Sequence, residues 1–209
     1  MSTRGACGVK IGGKYKVTYN HSDSYPEGMG KEVVDFCQKV QESNHWENFR
    51  KVCKKLELVD SNSKPSPVLQ KKYHKYADFS VGNQKADDWY CLLRGLQGIK
   101  NLSEMLYGDI VFIDHMIDSF DFLKDSLFCE YAYIINLDDM TLEFYQGYNH
   151  SPQADNPLPF EQVALSKDYE GEDNYYPVRY MGSFPLDNIP EDWMEKIFVE
   201  EKEEVEEKD

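Results

Sequence analysis

The stretch TRGACGVKIGGKYKVTYN, residues 3–20, predicts a β-hairpin at the start of the fold. Gly12-Gly13 separates two segments of strand length, and two glycines suit a tight hairpin turn because both accept positive φ angles. The second segment alternates apolar and polar side chains, in the order Tyr15, Lys16, Val17, Thr18 and Tyr19. Alternation with a period of two buries one side of a strand and leaves the other in solvent. We therefore expect strands over residues 3–11 and 14–20.

A second hairpin is predicted from EYAYIINLDDMTLEFY, residues 130–145, with arms at 130–136 and 141–145. A further strand at 177–184 opens on proline, which is tolerated at sheet edges. Helical spacing of apolar residues predicts helices from about residue 31, at 44–58, at 71–76 and from 89 to Gly95 or Gly98. The remaining segments predict a strand at 109–113, a helix at 115–127 and a last helix starting at Pro190.

This order of elements predicts an α+β fold with a mainly antiparallel sheet, in which helices are inserted between the two hairpins. A chain of 209 residues has the length of one domain. We assign residues 1–199 to that domain. The last ten residues, EEKEEVEEKD at 200–209, follow the C-terminal helix as an acidic low-complexity tail.

Charge is divided unevenly along the chain, whose formal net charge is −15. Residues 1–100 carry 17 basic and 11 acidic side chains, a net of +6. Residues 101–209 carry 6 basic and 27 acidic side chains, a net of −21. Such asymmetry suggests a partner with a charged surface. The alternative is that the acidic half keeps the protein soluble and monomeric.

Cysteine usage and hydropathy indicate a soluble protein of a reducing compartment. The five cysteines are widely spaced and form no C-x-x-C pair, which argues against a zinc knuckle or a thioredoxin motif. We expect buried free thiols, no metal and no cofactor. Because no stretch reaches the roughly 18–20 apolar residues of a membrane helix, we also expect no membrane contact and a cytoplasmic location.

The first candidate site is the polar loop YNHSDSYP, residues 19–26, which follows the first hairpin. Loops at the end of a sheet often carry function. His21 and Asp23 have the chemistry of an acid–base pair or of two metal ligands, and Asn20 and Tyr25 add binding groups. The alternative is a network of Asx and Ser turns that fixes the crossover from hairpin to helix.

A second candidate is Cys7, which lies in the first strand. The layout resembles that of N-terminal-nucleophile hydrolases, in which a strand-terminal cysteine attacks an amide. Cleavage after Ala6 would be required for Cys7 to take this role. The alternative is a buried structural cysteine between Gly5 and Gly8, so we expect the protein not to be an enzyme.

A basic helix face is the third candidate. The spacing of its four cations predicts one broad surface, formed by Arg50, Lys51, Lys54 and Lys55. A second basic segment follows at 71–76 with two tyrosines and a histidine. Together they have the composition of a surface that follows a phosphate backbone and stacks on bases. The alternative is an ordinary solvated helix face.

The fourth candidate is an acidic loop with carboxylates at Asp168, Glu170, Glu172 and Asp173. Closely spaced carboxylates can imitate a phosphate backbone and occupy a nucleic-acid-binding groove. The spacing of a calcium loop is absent from this segment. The alternative is a solvated loop without a partner.

Several motifs together resemble an uncharacterised family of phage and prophage proteins. They are TRGxxG at residues 3–8, YNHxDSYPxGxG at 19–30, the hairpin EYAY to FY at 130–145, and GSFPL at 182–186. The resemblance spans most of the chain except the acidic tail, and it implies no activity. It does imply an accessory phage gene, a class that includes anti-CRISPR and other anti-defence proteins.

These observations lead to one expected function and two alternatives. We expect a phage-encoded, non-enzymatic inhibitor that binds a host defence nuclease of the Cas9 type, or its guide RNA or DNA, in the host cytoplasm. Such nucleases hold nucleic acid in positively charged channels, which suit an acidic surface. The alternatives are an amide hydrolase that uses Cys7 and a protein that binds nucleic acid or nucleotides.

Overall fold

The computed structural model describes residues 2–108, 111–167 and 173–198. Its strands are β1 Gly5–Ile11, β2 Lys14–Asn20, β3 Glu57–Val59, β4 His115–Ile117, β5 Tyr131–Asn136, β6 Thr141–Gln146, β7 Ser166–Lys167, β8 Asn174–Tyr175 and β9 Arg179–Pro185. Its α-helices are α1 Lys31–Glu42, α2 Trp46–Lys55, α3 Pro67–Tyr73, α4 Trp89–Leu92, α5 Ile99–Tyr107 and α6 Trp193–Phe198. Short 3₁₀ segments lie at His74–Tyr76, Arg94–Leu96 and Phe120–Lys124, and an irregular helical turn lies at Pro26–Gly30.

A five-stranded sheet in the order β2-β1-β5-β6-β9 forms the centre of the molecule. Both predicted hairpins are confirmed, and β9 pairs antiparallel with β6 at the edge of the sheet. The two hairpins are joined by parallel pairing of β1 with β5. The fold is therefore α+β with a mainly antiparallel sheet, as predicted. Gly12 and Gly13 adopt φ angles of +59° and +71°, which closes the first turn as the Gly-Gly pair predicts.

The two faces of the sheet are covered differently. On one face the buried side chains of β1, β5 and β6 pack with those of α1, α2, α5 and α6 in the larger core. On the other face a smaller core contains Ala6, Val17, Ile134 and Tyr145, covered by irregular segments around Leu123, Leu158 and Val178. The α-helices that follow the first hairpin thus pack on one face, as expected.

Steric crowding requires glycine at two positions of the N-terminal motif, Gly5 and Gly8. A Cβ atom at Gly8 would lie 2.2 Å from the Lys16 carbonyl oxygen, and one at Gly5 would lie 2.3 Å from the Tyr131 carbonyl oxygen. Both distances are far below van der Waals contact, because β1 is enclosed by β2 on one side and β5 on the other. Glycine at these two positions is therefore a packing requirement of β1, which is paired on both sides.

Three predicted elements around β3 and β4 need correction. The helix predicted over 44–58 ends at Lys55, because Leu56 takes an extended conformation and residues 57–59 form β3. Within the predicted strand at 109–113, residues 111–113 are not extended into a strand, and 109–110 lie outside the described residues. The predicted helix at 115–127 is instead β4 followed by a 3₁₀ segment. Parallel pairing of β4 with β3, 58 residues away, satisfies this backbone and overrides the local helical spacing.

The segment around Gly98 also differs from the prediction. The helix expected to run from residue 89 ends at Leu92, and the unpredicted α5 begins directly after Gly98. Gly98 has a φ angle of +61°, which turns the chain into a new helix rather than ending the previous one. The last helix begins at Trp193 instead of Pro190, and the predicted tail at 200–209 lies outside the described residues. No helix among the described ranges is long and apolar enough to cross a membrane.

All five cysteines are free and buried, which confirms the reading from their spacing. We predict that native protein reacts slowly with iodoacetamide, because each thiol is enclosed in the fold. After unfolding in guanidinium without reductant, mass spectrometry should show five adducts, and added reductant should not raise that number. Fewer than five adducts without reductant would reveal a disulfide and contradict the prediction.

Candidate functional site

The loop after β2 is tied to the sheet by its own polar groups. The Asn20 side-chain amide donates to the Ser22 carbonyl at 2.5 Å and to Ser24 Oγ at 2.9 Å. The Ser24 backbone N–H donates to the Thr3 carbonyl at 3.2 Å, and the Ser24 carbonyl accepts from the Tyr133 hydroxyl at 3.0 Å. Ser24 is fully buried. Asn20 therefore stabilises the crossover between the first hairpin and α1.

Asp23 acts through its backbone in the same loop. It adopts a φ angle of +57°, and its carbonyl accepts from the Met29 N–H at 2.8 Å. Its side chain is exposed, as is that of Tyr25. His21 does not pair with Asp23: its Nδ1 atom lies 3.0 Å from the Tyr19 hydroxyl. The turn network thus accounts for Asn20 and Asp23, and His21 and Tyr25 remain as side chains open to solvent.

Two clefts meet at His21. One, which we call the Arg4 cleft, has a volume of about 360 Å³ and is lined by Ser2, Thr3, Arg4, His21, Glu130 and Tyr148. The other, the Arg94 cleft, has a volume of about 260 Å³ and is lined by Asn20, His21, Ser22, Arg94, Gly95, Gln97 and Lys100. Partial burial lowers the pKa of His21, and the positive charges of Arg94 and Arg4 lower it further. The two clefts therefore share one cationic environment.

The cations of these clefts are held by uncharged partners. Arg94 Nη1 donates to the Tyr90 hydroxyl at 3.0 Å and to Gln97 Oε1 at 2.5 Å. The Arg4 guanidinium carbon lies 4.7 Å from the centre of the Phe128 ring. Among the described residues, the ion pairs include none formed by Arg4, Arg94 or Lys100. These cations thus form no close ion pair in this part of the chain. Carboxylates are nonetheless nearby, since Glu130 lines the Arg4 cleft and the charge of Arg94 adds to the Ser80 hydrogen bonds that lower the pKa of Asp78.

The basic face of α2 is present, but one of its four predicted cations has a structural role. Arg50 Nη2 donates to the Leu137 carbonyl in the turn of the second hairpin and lies 3.4 Å from Met140 Sδ. By contrast, Lys51, Lys54 and Lys55 are exposed. None of these three lysines forms an ion pair with a described residue.

Cys7 lies in the middle of the sheet. It is fully buried in β1, between Thr18 of β2 and Tyr133 of β5. Burial raises the pKa of its thiol strongly, which keeps it protonated. A nucleophile must be accessible and readily deprotonated. Nothing in this environment supports the hydrolase alternative, and the structural role of a buried cysteine accounts for the residue.

The predicted acidic loop is described only at its end. Asp168, Glu170 and Glu172 lie outside the described residues, whereas Asp173 is exposed directly before β8. Within the described ranges, no group of three or more His, Cys, Asp or Glu side chains is arranged to hold a metal ion. The acidic loop as a binding surface remains a prediction.

A polar cluster around Asp114 was not predicted. Asp114 Oδ1 accepts from the Tyr73 hydroxyl at 2.6 Å and from Lys72 Nζ at 2.6 Å, and it also contacts His115 Nδ1. His115 Nε2 lies 3.7 Å from Glu57 Oε2. The cluster connects α3 with the β3–β4 pair, and its members come from three distant parts of the sequence. The only local signal was the Asp114-His115 pair after an apolar residue.

Hydrogen bonding determines the protonation of Asp114. Burial alone would raise its pKa, but the bonds from Lys72, Tyr73 and His115 outweigh burial and lower the pKa. The carboxylate is therefore ionised across the neutral range. This cluster stabilises the packing of α3 on the small parallel sheet.

Comparison of the chain with known protein families, curated proteins and solved structures found no match.

We predict that Asn20→Ala lowers the free energy of unfolding by about 1–3 kcal/mol, because it leaves the buried Ser24 hydroxyl without this donor. The matched control is Ser22→Ala, since the exposed Ser22 side chain makes no hydrogen bond to the described residues. Its effect should stay within about 0.5 kcal/mol. Urea unfolding followed by circular dichroism measures both, and equal losses would show that the Asn20 amide does not stabilise the loop.

We predict that Asp114→Asn destabilises the protein by about 1–3 kcal/mol at pH 7, since hydrogen bonds to the charged carboxylate are lost. The folded pKa lies below the ordinary value of 3.8, so this contribution is full above pH 3.8 and is lost as the pH falls through the folded pKa. The difference in stability between this variant and wild type should therefore become smaller at acidic pH. Asp155→Asn, at an exposed position, should show no such difference, and a difference for Asp114→Asn that is independent of pH would contradict the assignment.

Proposed function

We propose that the protein is a non-enzymatic binding protein that inhibits a host defence nuclease by engaging the nucleic acid which that nuclease carries. Three observations support this function over the alternatives: the exposed lysines of α2, the burial of Cys7, and the division of charge between the two halves of the chain. The phage origin and the choice of a Cas9-type nuclease rest on the resemblance to phage proteins.

The observation that carries the proposal is the exposed cationic side of α2. Phe49 and Cys53 bury the opposite side of this helix in the core, so its backbone is held rigidly. Lys51, Lys54 and Lys55 project from it without carboxylate partners in the described chain. Lysines at fixed spacing on a helix are suited to contact successive phosphates and release their counterions.

The turn of the first hairpin extends this surface. Lys16 Nζ donates to the Cys53 carbonyl at 2.8 Å and to the Leu56 carbonyl at 2.5 Å, which attaches β2 to the end of α2. Burial lowers the pKa of Lys16, and the charge of the nearby Lys14 lowers it further. Lys14 is itself exposed. We define the α2 surface as Lys14, Lys51, Lys54 and Lys55.

A nuclease loaded with guide RNA or DNA offers partners for both halves of this protein. The α2 surface is suited to its exposed phosphates. The acidic loop, from Asp168 to Asp173, has the charge to face a positively charged channel. We place the main contact on the α2 surface, and the acidic loop is the alternative that the experiment separates from it.

We predict that Lys51→Glu/Lys55→Glu abolishes protection of plasmid DNA in cells that carry a Cas9-type system. This pair leaves Lys54, whose carbonyl lies near Lys16, unchanged. Binding to the purified guide-loaded nuclease should weaken, and the slope of log affinity against log salt should fall by about two, because each lysine–phosphate contact contributes about one. Biolayer interferometry at several salt concentrations measures both the affinity and the slope of its salt dependence.

The matched control is Lys85→Glu/Lys167→Glu, which makes the same change of net charge at exposed positions elsewhere. It should inhibit like wild type. A second variant changes Asp168, Glu170, Glu172 and Asp173 to amides. If the amide variant loses inhibition and Lys51→Glu/Lys55→Glu does not, the acidic loop is the working surface and the α2 surface is not. Failure of wild type to bind or inhibit any guide-loaded nuclease would overturn the proposal.

A further inference from the structure

The two clefts at His21 share no lining residue with the α2 surface, and the function proposed above does not use them. The Arg94 cleft contains two cations, Arg94 and Lys100, and none of its lining residues is acidic. The Arg4 cleft combines a cation with an aromatic ring, since Tyr148 lines it and is 53% exposed. Adjoining cationic and aromatic compartments match the two parts of a nucleotide.

We propose that the two His21 clefts together bind a nucleoside phosphate, with the phosphate in the Arg94 cleft and the base against Tyr148 in the Arg4 cleft. The ligand class is defined by a phosphate ester joined to an aromatic base. It can be supplied by a free nucleotide or by the phosphorylated end of a single strand.

The Arg94 cleft receives the phosphate because its arginine is already oriented. Arg94 uses Nη1 to contact Tyr90 and Gln97, and its Nε and Nη2 groups form no hydrogen bond with the described residues. A planar guanidinium held in this way can present its remaining donors to phosphate oxygens in a fixed geometry. Lys100, exposed in the first turn of α5, adds a mobile positive charge.

The Arg4 cleft is less suited to phosphate and better suited to a base. Glu130 lines this cleft, accepts from the Arg4 backbone N–H at 2.9 Å and shares a hydrogen bond with the Tyr148 side chain. Its negative charge disfavours a second phosphate, whereas its oxygens can accept from the amino group of a base. The exposed Tyr148 ring offers a stacking surface, which is typical of base recognition.

His21 connects the two compartments. It lines both clefts, and its Nδ1 atom is engaged with the Tyr19 hydroxyl, which fixes the ring. Repulsion from Arg4 and Arg94 contributes to its lowered pKa, as expected where cations gather around a site that attracts an anion. A ligand that spans both clefts must pass this ring, so the His21 resonances report its binding directly.

Isothermal titration calorimetry of the full chain with AMP, adenosine and inorganic phosphate tests the proposal. AMP should bind more tightly than either adenosine or phosphate, because only AMP fills both clefts. Lys100→Gln should weaken AMP binding about tenfold by removing one charge contact. Tyr148→Leu should weaken AMP binding about tenfold through lost stacking and leave phosphate binding unchanged.

Matched controls separate this site from the α2 surface. Lys85→Gln and Phe79→Leu remove an exposed lysine and an exposed aromatic ring elsewhere, and both should bind AMP like wild type. Lys51→Glu/Lys55→Glu should also bind AMP normally. If that pair abolishes AMP binding, or if Lys100→Gln and Tyr148→Leu bind like wild type, the proposed site is wrong.

Two further readouts complete the test. In nuclear magnetic resonance spectra the His21 ring signals should shift on addition of AMP. If a single-stranded oligonucleotide with a 5′-phosphate competes with AMP, a strand end is the source of the ligand. If it does not compete, the ligand is a free nucleotide. Both results support a binding site at the His21 clefts. Absence of AMP binding at millimolar concentration, or of any shift at His21, would overturn the proposal.

Discussion

The parallel pairing of β1 with β5 is the contact on which the rest of the structure depends. It joins two hairpins that are separated by more than a hundred residues and places β1 inside the sheet, paired on both sides. Such enclosure leaves no room for a side chain at Gly5 or Gly8, where a Cβ atom would collide with neighbouring carbonyl oxygens. It also buries Cys7 and holds its thiol protonated. The N-terminal motif is thus explained by packing, and it does not require catalysis.

The same pairing creates the candidate site. Because Gly5 lies opposite Tyr131, Arg4 and Glu130 become neighbours at the end of the sheet, and the Arg4 backbone N–H donates to the Glu130 side chain. The loop after β2 returns to this end and brings His21 with it. Residues far apart in sequence thereby form clefts whose cations make no close ion pair within the described chain. A rigid sheet end that carries loops and unpaired charge is suited to binding.

Charge is organised into separate surfaces with separate chemistry. The α2 surface combines the exposed lysines of α2 with Lys14 of β2 and is suited to a phosphate backbone. The His21 clefts are concave and combine arginines with an exposed aromatic ring. Both lie in elements contributed mainly by the basic half of the chain, whereas the acidic loop predicted at residues 168–173 follows the second hairpin. The division of charge does not bear on Cys7, whose burial and raised pKa argue against a nucleophilic role.

Local sequence determined both hairpins, the Gly-Gly turn, α1, most of α2, the edge strand β9 and the burial of the cysteines, because alternation, helical spacing and turn residues act over a few positions. Tertiary structure alone decided that residues 115–117 form a strand, that α5 follows Gly98, and that Arg50 turns toward the second hairpin. It also brought Asp114 to Tyr73, 41 residues away, and Arg4 to Glu130. These contacts form between distant segments whose local patterns favour other structures or none. Their energy comes from backbone and side-chain groups that find partners only once the sheet has assembled.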